Sequence, residues 1–327
     1  MKNIVNSKYI ALFFLILAVV FPLFPATSYY VYIASQICIW GAAATLLLLN
    51  IRTGLFNLGF SVFMAIGAYS TAILTTKHGI SFWTSLPIGV VLAIVVAILI
   101  GVAIFRLKGM YFVLVTCALC EIMKLLLANF KDFTGGYNGL MNIPRPSFPF
   151  INFNNQTEYY YLLLVFLCIA VFATRRIWMS YVGKIFHGIE EQEILCRSIG
   201  IPTSKFKSIS FAIAAFFAAL CGSLLAALSS AVDPLMFGFD ASVRCFLYAV
   251  LGGISSVFGP LIGTTVGMGI NEAFSFALGL APAILGVIII LIMLFMPKGL
   301  VGVIPARFFG ADDTQPGQAE AKNGLKK

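Results

Sequence analysis

Few side chains in this sequence could do chemistry, and most of them lie where charge is expensive. Glu121, Lys124, Arg244 and Glu272 stand inside long apolar runs. An ionised group at mid-membrane costs about 2.5–3.5 kcal/mol on insertion scales and needs a partner. Glu121 and Lys124, spaced i,i+3, can pair with each other on one helix, while Glu272 stands beside Asn271. A structural role and a place on a pathway are both open for these groups. Cys117-x-x-Cys120 has a redox or metal spacing, but no second pair and no histidine accompanies it, so the two read as small packing residues. The only histidines, His78 and His187, fall in predicted loops. No G-x-x-x-x-G-K-[ST], G-x-S-x-G or H-E-x-x-H motif occurs, so a P-loop and the common hydrolase and metalloprotease arrangements are absent. The chain is expected to be no enzyme, with no cofactor or metal of its own.

Two apolar stretches are interrupted in a way that suggests a path. Gly54-Leu-Phe-Asn57-Leu-Gly59-Phe-Ser61 opens an otherwise regular span, and each glycine weakens a helix by about 1 kcal/mol against alanine. Gly252-Gly253-Ile-Ser-Ser-Val-Phe-Gly259-Pro260 breaks the second half similarly. Irregular backbone is tolerated in a membrane only where protein or a water-filled cavity satisfies it. Paired breaks therefore point to a pathway and an internal repeat, with close packing through small residues as the alternative. Asn57, Gly59, Ser61, Glu121, Gly253 and Glu272 are the candidate pathway residues.

Of the 327 residues, 61% are apolar and only 10% are charged, against about 25% charged in an average soluble domain. Mean hydropathy is +1.01. A soluble exterior cannot be built from that composition, so the surplus must face lipid. Spans of the required length, about 20 residues, fall near 9–27, 29–51, 54–76, 83–105, 109–130, 157–178 and 206–231. The C-terminal block adds a short segment near 239–252, a full one near 258–279 and a last one near 281–297. The first run is expected to stay as a span rather than to be a cleaved signal. The predicted fold is all-α: a polytopic bundle of 8–10 transmembrane helices, with residues 1–305 as the membrane domain and 306–327 as a disordered tail. If both termini are cytoplasmic, 16 of the 21 Lys and Arg residues lie inside, as the positive-inside bias requires. That accounts for the net charge of +9 without nucleic acid. Ten crossings fit if 239–252 crosses; eight fit if two pieces of the C-terminal block are re-entrant.

The longest hydrophilic inside stretch is Ser180–Lys207. Ile185, Ile189, Cys196 and Ile199 share one stripe at helical pitch, with Glu190, Glu193 and Arg197 beside it. Glu193 and Arg197 are spaced i,i+4 in the favourable order, and Gly200 with Pro202 is a stop signal. A short helix across the membrane surface, with acids near its start, could dock into a groove on a partner or simply anchor the loop.

Here the residues carry a resemblance. Gly183-Lys-x-x-x-Gly-Ile-Glu190-Glu191-x-Glu193 through Gly200-Ile201, followed by Lys207 and Phe211, resembles the coupling loop of ABC importer permeases. Gly54–Gly59 with Gly67–Tyr69, Leu107–Phe112 with Thr116 and Glu121, and Thr134–Leu140 extend the likeness. In order, these pieces resemble the branched-chain amino-acid permease family, the LivM type, over nearly the whole chain. Four departures stand out: Glu190 where the family usually has Arg, Gln192 for Asp, His187 for Arg, and Cys221-Gly222 for an Ala-Gly pair.

The resemblance implies an importer of branched-chain or related hydrophobic amino acids in a bacterial inner membrane, working by alternating access. Two separate cytoplasmic ATPase subunits would bind ATP and Mg and grip the loop containing Gly183, Glu190, Glu191, Glu193, Arg197 and Gly200. A homologous second permease would complete the pathway. An extracytoplasmic substrate-binding protein would dock near Thr134, Gly135, Gly136 and Asn138, unless these form only an ordered turn. The alternatives are an ABC permease for urea or short amides, an ion-coupled carrier, or a scaffold without transport.

Overall fold

The computed structural model describes residues 28–105, 107, 109–147, 153 and 155–274, with isolated positions at 19, 22, 286, 287, 290, 294, 299 and 300. The spans expected at 9–27 and 281–297 and the tail at 306–327 lie outside the described residues, apart from those isolated positions. Among the described residues there are ten α-helices: α1 (Ser28–Ile51), α2 (Phe60–Thr76), α3 (Phe82–Ile104), α4 (Met110–Asn129), α5 (Lys131–Thr134), α6 (Gln156–Trp178), α7 (Tyr181–Ser198), α8 (Thr203–Ser229), α9 (Phe239–Gly252) and α10 (Gly259–Ala273). Five of them, α1, α3, α4, α6 and α8, are long and apolar enough to cross a bilayer. The protein is a polytopic helical membrane bundle. A two-residue antiparallel ladder, β1 (Leu140–Met141) on β2 (Ala231–Val232), ties two loops together.

Helix α3 shows how the sequence chooses its environment. Ile88, Val91, Leu92, Val95, Ile98, Leu99 and Val102 are exposed on one face, while Ser85, Gly89, Ala93, Ala97 and Gly101 are buried on the other. Large apolar groups outside and small ones inside is the membrane arrangement, since lipid tails solvate the former and helix backbones approach over the latter. The centre is α1, α2 and α8. Helices α2 and α8 cross almost backbone to backbone: a Cβ at Gly67 would lie 2.1 Å from the Ala219 carbonyl oxygen, and one at Gly222 would lie 1.9 Å from that of Met64. The Thr71 hydroxyl donates to Ser223 Oγ at 2.9 Å, and Ser223 Oγ donates to the Gly67 carbonyl at 3.0 Å. Phe211 of α8 is buried among the rings of Phe63, Phe105 and Phe112, with centroids 5.2, 5.5 and 6.5 Å away.

Helices α9 and α10 have 14 and 15 residues. At 1.5 Å per residue each spans only about 21–23 Å of a hydrocarbon core about 30 Å thick. Of the full span expected at 258–279, the helix covers 259–273. The two pack as a hairpin closed by residues 253–258, because glycines meet along its seam. A Cβ at Gly252 would fall 1.7 Å from the Gly259 carbonyl oxygen, and one at Gly263 would fall 2.1 Å from that of Tyr248.

Candidate functional site

Helix α7 is built by its ends and its kink. Ser180 caps it, its hydroxyl accepting from the Gly183 amide at 3.3 Å. A Cβ at Gly183 would strike the Ile177 and Trp178 carbonyl oxygens at 2.4 Å, so only glycine allows the sharp turn out of α6. Ile185, Phe186, Ile189 and Cys196 are buried. Gln192 is extended (φ −149°, ψ 91°) and divides the helix into two pieces. At the far end the Ile201 amide bonds the Cys196 carbonyl at 3.0 Å and the Gly200 amide bonds that of Arg197 at 3.1 Å. With Gly200 at φ +85°, this is a Schellman stop, completed by Ile201 packing on Cys196.

Two expectations are corrected here. Ile199 is not on the buried stripe; it is 69% exposed, because it caps the helix beyond a kink that has already broken the 3.6-residue period, and Phe186 is buried instead. The acids are not near the helix start either. The first turn carries none, since the helix begins at Tyr181 and Glu190, Glu191 and Glu193 flank the kink.

The acids divide between two clusters. On the far side of the kink, Glu193 receives Lys207 Nζ at 2.8 Å, Arg197 Nη2 at 3.1 Å and the Thr203 hydroxyl at 3.3 Å. Lys207 and Thr203 belong to α8, so Glu193 holds the loop to the bundle. On the near side, Glu190 Oε2 lies 3.3 Å from His187 Nδ1 and 3.8 Å from Arg52 Nη1, and Glu191 lies 3.5 Å from His187 Nε2. The Arg52 guanidinium stacks on Trp178, 3.9 Å from the ring centroid. Glu191, Ile194, Leu195 and Ile199 face outward.

Arg52 begins the first break. Residues 55–59 carry no regular structure, and Gly54 (φ +69°) sits against the Glu190 backbone. Asn57 and Ser61 are each only 1% exposed, inside a polar knot shared by α2, α4 and α9. Asn57 Oδ1 accepts from the Gly59 amide at 2.8 Å, leaving Asn57 Nδ2 buried without a hydrogen-bond partner among the described residues. The Leu58 amide donates to Thr116 Oγ1 at 3.3 Å, and Cys120 Sγ donates to the Leu58 carbonyl at 3.0 Å. The Ser61 amide donates to Ser242 Oγ at 2.9 Å, and Ser242 Oγ donates to Ser61 Oγ at 2.8 Å. Ser242 could not be found from sequence, since a lone serine in an apolar run has no spacing signal.

The remaining candidates scatter. Glu121 pairs with Lys124 and accepts from the Phe239 amide at 3.2 Å, at the start of α9. Glu272 accepts from the Tyr29 hydroxyl, far along α10. Gly253 (φ +109°) is buried in the hairpin turn. Thr134 Oγ1 lies within 2.5 Å of the Leu127 carbonyl and accepts from the Gly136 amide at 3.2 Å. Gly135 and Gly136 adopt positive φ, and Asn138 is exposed beyond them, so Thr134–Asn138 form an ordered turn leading into β1. Among the described residues no His, Cys, Asp or Glu group is arranged to hold a metal.

Comparison with known proteins agrees with this architecture. A family model described as "Branched-chain amino acid transport system / permease component" matches residues 29–297. The high-affinity branched-chain amino acid transport system permease protein LivM of Escherichia coli (strain K12) is 31% identical over 298 residues, covering 84% of this chain and 68% of that protein. LivM of Salmonella typhimurium is 30% identical over 272 residues, 76% of this chain and 64% of its own length. The permease protein LivH of Escherichia coli (strain K12) is 33% identical over 126 residues, 38% of this chain and 40% of LivH. No solved structure matches.

Proposed function

The chain belongs to the permease-component family of branched-chain amino acid transport systems, and from that premise we propose that it forms part of an importer's transmembrane path for branched-chain or related aliphatic amino acids. Its relatives include two kinds of permease protein, LivM and LivH, which supports pairing with a homologous second permease. Two cytoplasmic ATPases supply the energy, and an extracytoplasmic binding protein delivers the cargo. The chain sits in a bacterial inner membrane with both termini inside and eight crossings. It contributes no covalent chemistry. ATP and Mg belong to the ATPases, and this chain converts their movement into a change of which side the central path faces.

The observation that carries this reading is α7. Its inner face is clamped to the bundle by Glu193 and Glu190, while Ile194, Leu195 and Ile199 stand out at 77%, 57% and 69% exposure beside the exposed Glu191. An exposed apolar tip on a short polar helix suits a groove on a soluble partner. Ion-coupled carriage is less well served, since Glu121 and Glu272 are already engaged by Lys124, the Phe239 amide and Tyr29. Capture of the ATPase subunit in detergent tests the proposal. Wild type should retain it and Ile194→Asp with Ile199→Asp should not; failure of wild type to retain it in any nucleotide state overturns the reading.

A further inference from the structure

We infer that the kink at Gln192 splits the ATPases' movement between two arms, and that Arg52 is the residue that carries one of them into the polar break before α2. This deepens the proposed function and rests on it. The first piece of α7, up to Glu191, makes its ionic contacts with Arg52. The second, from Glu193 to Ser198, forms an ion pair with Lys207 and accepts a hydrogen bond from Thr203, both of α8. Gln192, in extended backbone, is the covalent joint between them, and Ile185 and Ile189 pack on Cys196 across it. The backbone angle between the pieces is set at one residue, with a small apolar contact beside it, and a few such residues are how hinges absorb motion.

Arg52 is well placed to be the first link. It follows directly on Ile51, the last residue of α1. Its guanidinium is held flat on Trp178 and toward both Glu190 and His187. Two residues on, Gly54 faces the Glu190 backbone across a space that a single Cβ would fill, 3.7 Å from Glu190 Cα. A shift of Glu190 therefore reaches residues 52–54 through its ion pair with Arg52 and its nearness to Gly54. Three residues further, Asn57 begins the knot that holds Ser61 to Ser242 and, through Leu58, to Thr116 and Cys120. The second arm arrives by a different route. Glu193 moves Lys207, and α8 carries the movement to α2 through the glycine contact at Gly67 and Ala219. The lead-in to α2 and the body of α2 are then driven separately.

The experiment uses the whole transporter, this chain with its second permease, ATPases and binding protein, reconstituted in liposomes with radiolabelled leucine as the probe. Uptake and ATP hydrolysis are measured together. Arg52→Gln should leave hydrolysis within about twofold of wild type while leucine carried per ATP falls about tenfold, a size ordinary for coupling between sites. Arg52→Lys should recover part of the loss, and the charge exchange Arg52→Glu with Glu190→Arg more of it. If Arg52→Gln fails to assemble, Trp178→Leu, which removes the stacked ring and keeps the charge, is read by the same criteria. An unchanged ratio, or uptake and hydrolysis falling in proportion, overturns the role of Arg52 and leaves the proposed function standing. Wild type without ATP-driven uptake overturns both.

Discussion

Replacing Glu193 by Gln separates a residue that holds the loop from one that greets a partner. Lys207 Nζ lies 2.8 Å from Glu193 Oε2, and the two side chains are only 10% and 22% exposed. Removing one member of a fully buried pair costs about 3–5 kcal/mol, because the other charge is left uncompensated. Lys207 can relieve part of that by extending its stem toward water, and the more exposed Arg197 contact adds little. The expected loss is therefore about 2 kcal/mol, or about 30-fold in a local opening equilibrium. Hydrogen exchange by mass spectrometry should show it as faster exchange over residues 193–207, with α2 and α8 unaffected. Adding Lys207→Met to Glu193→Gln should bring exchange back near wild type, because deleting both partners leaves no stranded charge. ATPase capture should fall in the single variant and return in the double one. Unchanged exchange in Glu193→Gln, or a double variant as labile as the single, would refute the clamp. A double variant that exchanges normally yet captures nothing would place Glu193 in the partner's groove.

Two further predictions concern the core. Gly222→Ala would set a Cβ 1.9 Å from the Met64 carbonyl oxygen, where ordinary contact begins at 3.4 Å, whereas nothing lies within 4 Å of a Cβ at Gly269. The first should lose about 3 kcal/mol from overpacking and broken Ser223 hydrogen bonds; the second should be neutral or gain up to about 1 kcal/mol in helix propensity. Thermal unfolding in detergent compares them, and equal shifts would mean the α2–α8 contact is not what limits stability. Ser242→Ala strands the buried Ser61 amide at an expected cost of about 1–3 kcal/mol. The same assay should show it well below Ser208→Ala, a half-buried serine whose hydroxyl bonds the Ser204 carbonyl of its own helix.

Length and hydrophobicity made the long helices legible. The span expected at 83–105 folds as α3 over 82–104 because an apolar run in lipid must close its own hydrogen bonds. The glycine pairs marked both breaks correctly, but what they do there was hidden. The spacing of Gly252, Gly259 and Gly263 says that something approaches closely, not that α9 and α10 approach each other. In α7 the apolar period gave Ile185, Ile189 and Cys196 correctly and failed at Ile199, since an extended glutamine looks no different in sequence from a helical one. Glu193 and Arg197 paired as their spacing required. The stronger partner, Lys207, lies 14 residues away across a turn, beyond any local rule. Arg52 counted only as a loop cation, because its meaning depends on Trp178 and Glu190 converging from two other helices.

The contrast between the body of α2 and its lead-in explains why a permease would keep an irregular stretch inside its bundle. Where α2 meets α8, the backbones touch through Gly67 and Gly222 with no side-chain cushion between them. Interiors this dense transmit displacement rather than absorb it. Ahead of α2 the chain is different: Gly54 is left-handed, and residues 55–59 lean on the side chains of Asn57, Thr116 and Cys120 instead of a helical ladder. Such a segment can trade one set of contacts for another at modest cost. The Nδ2 of Asn57, buried without a partner in this arrangement, is the group that would gain most from the exchange, since an unmade buried hydrogen bond costs about 1–3 kcal/mol. Under the two-arm reading, α8 turns α2 as a rigid body while Arg52 sets how far its lead-in follows, and a polar atom left unsatisfied in one arrangement gives the second arrangement something to offer.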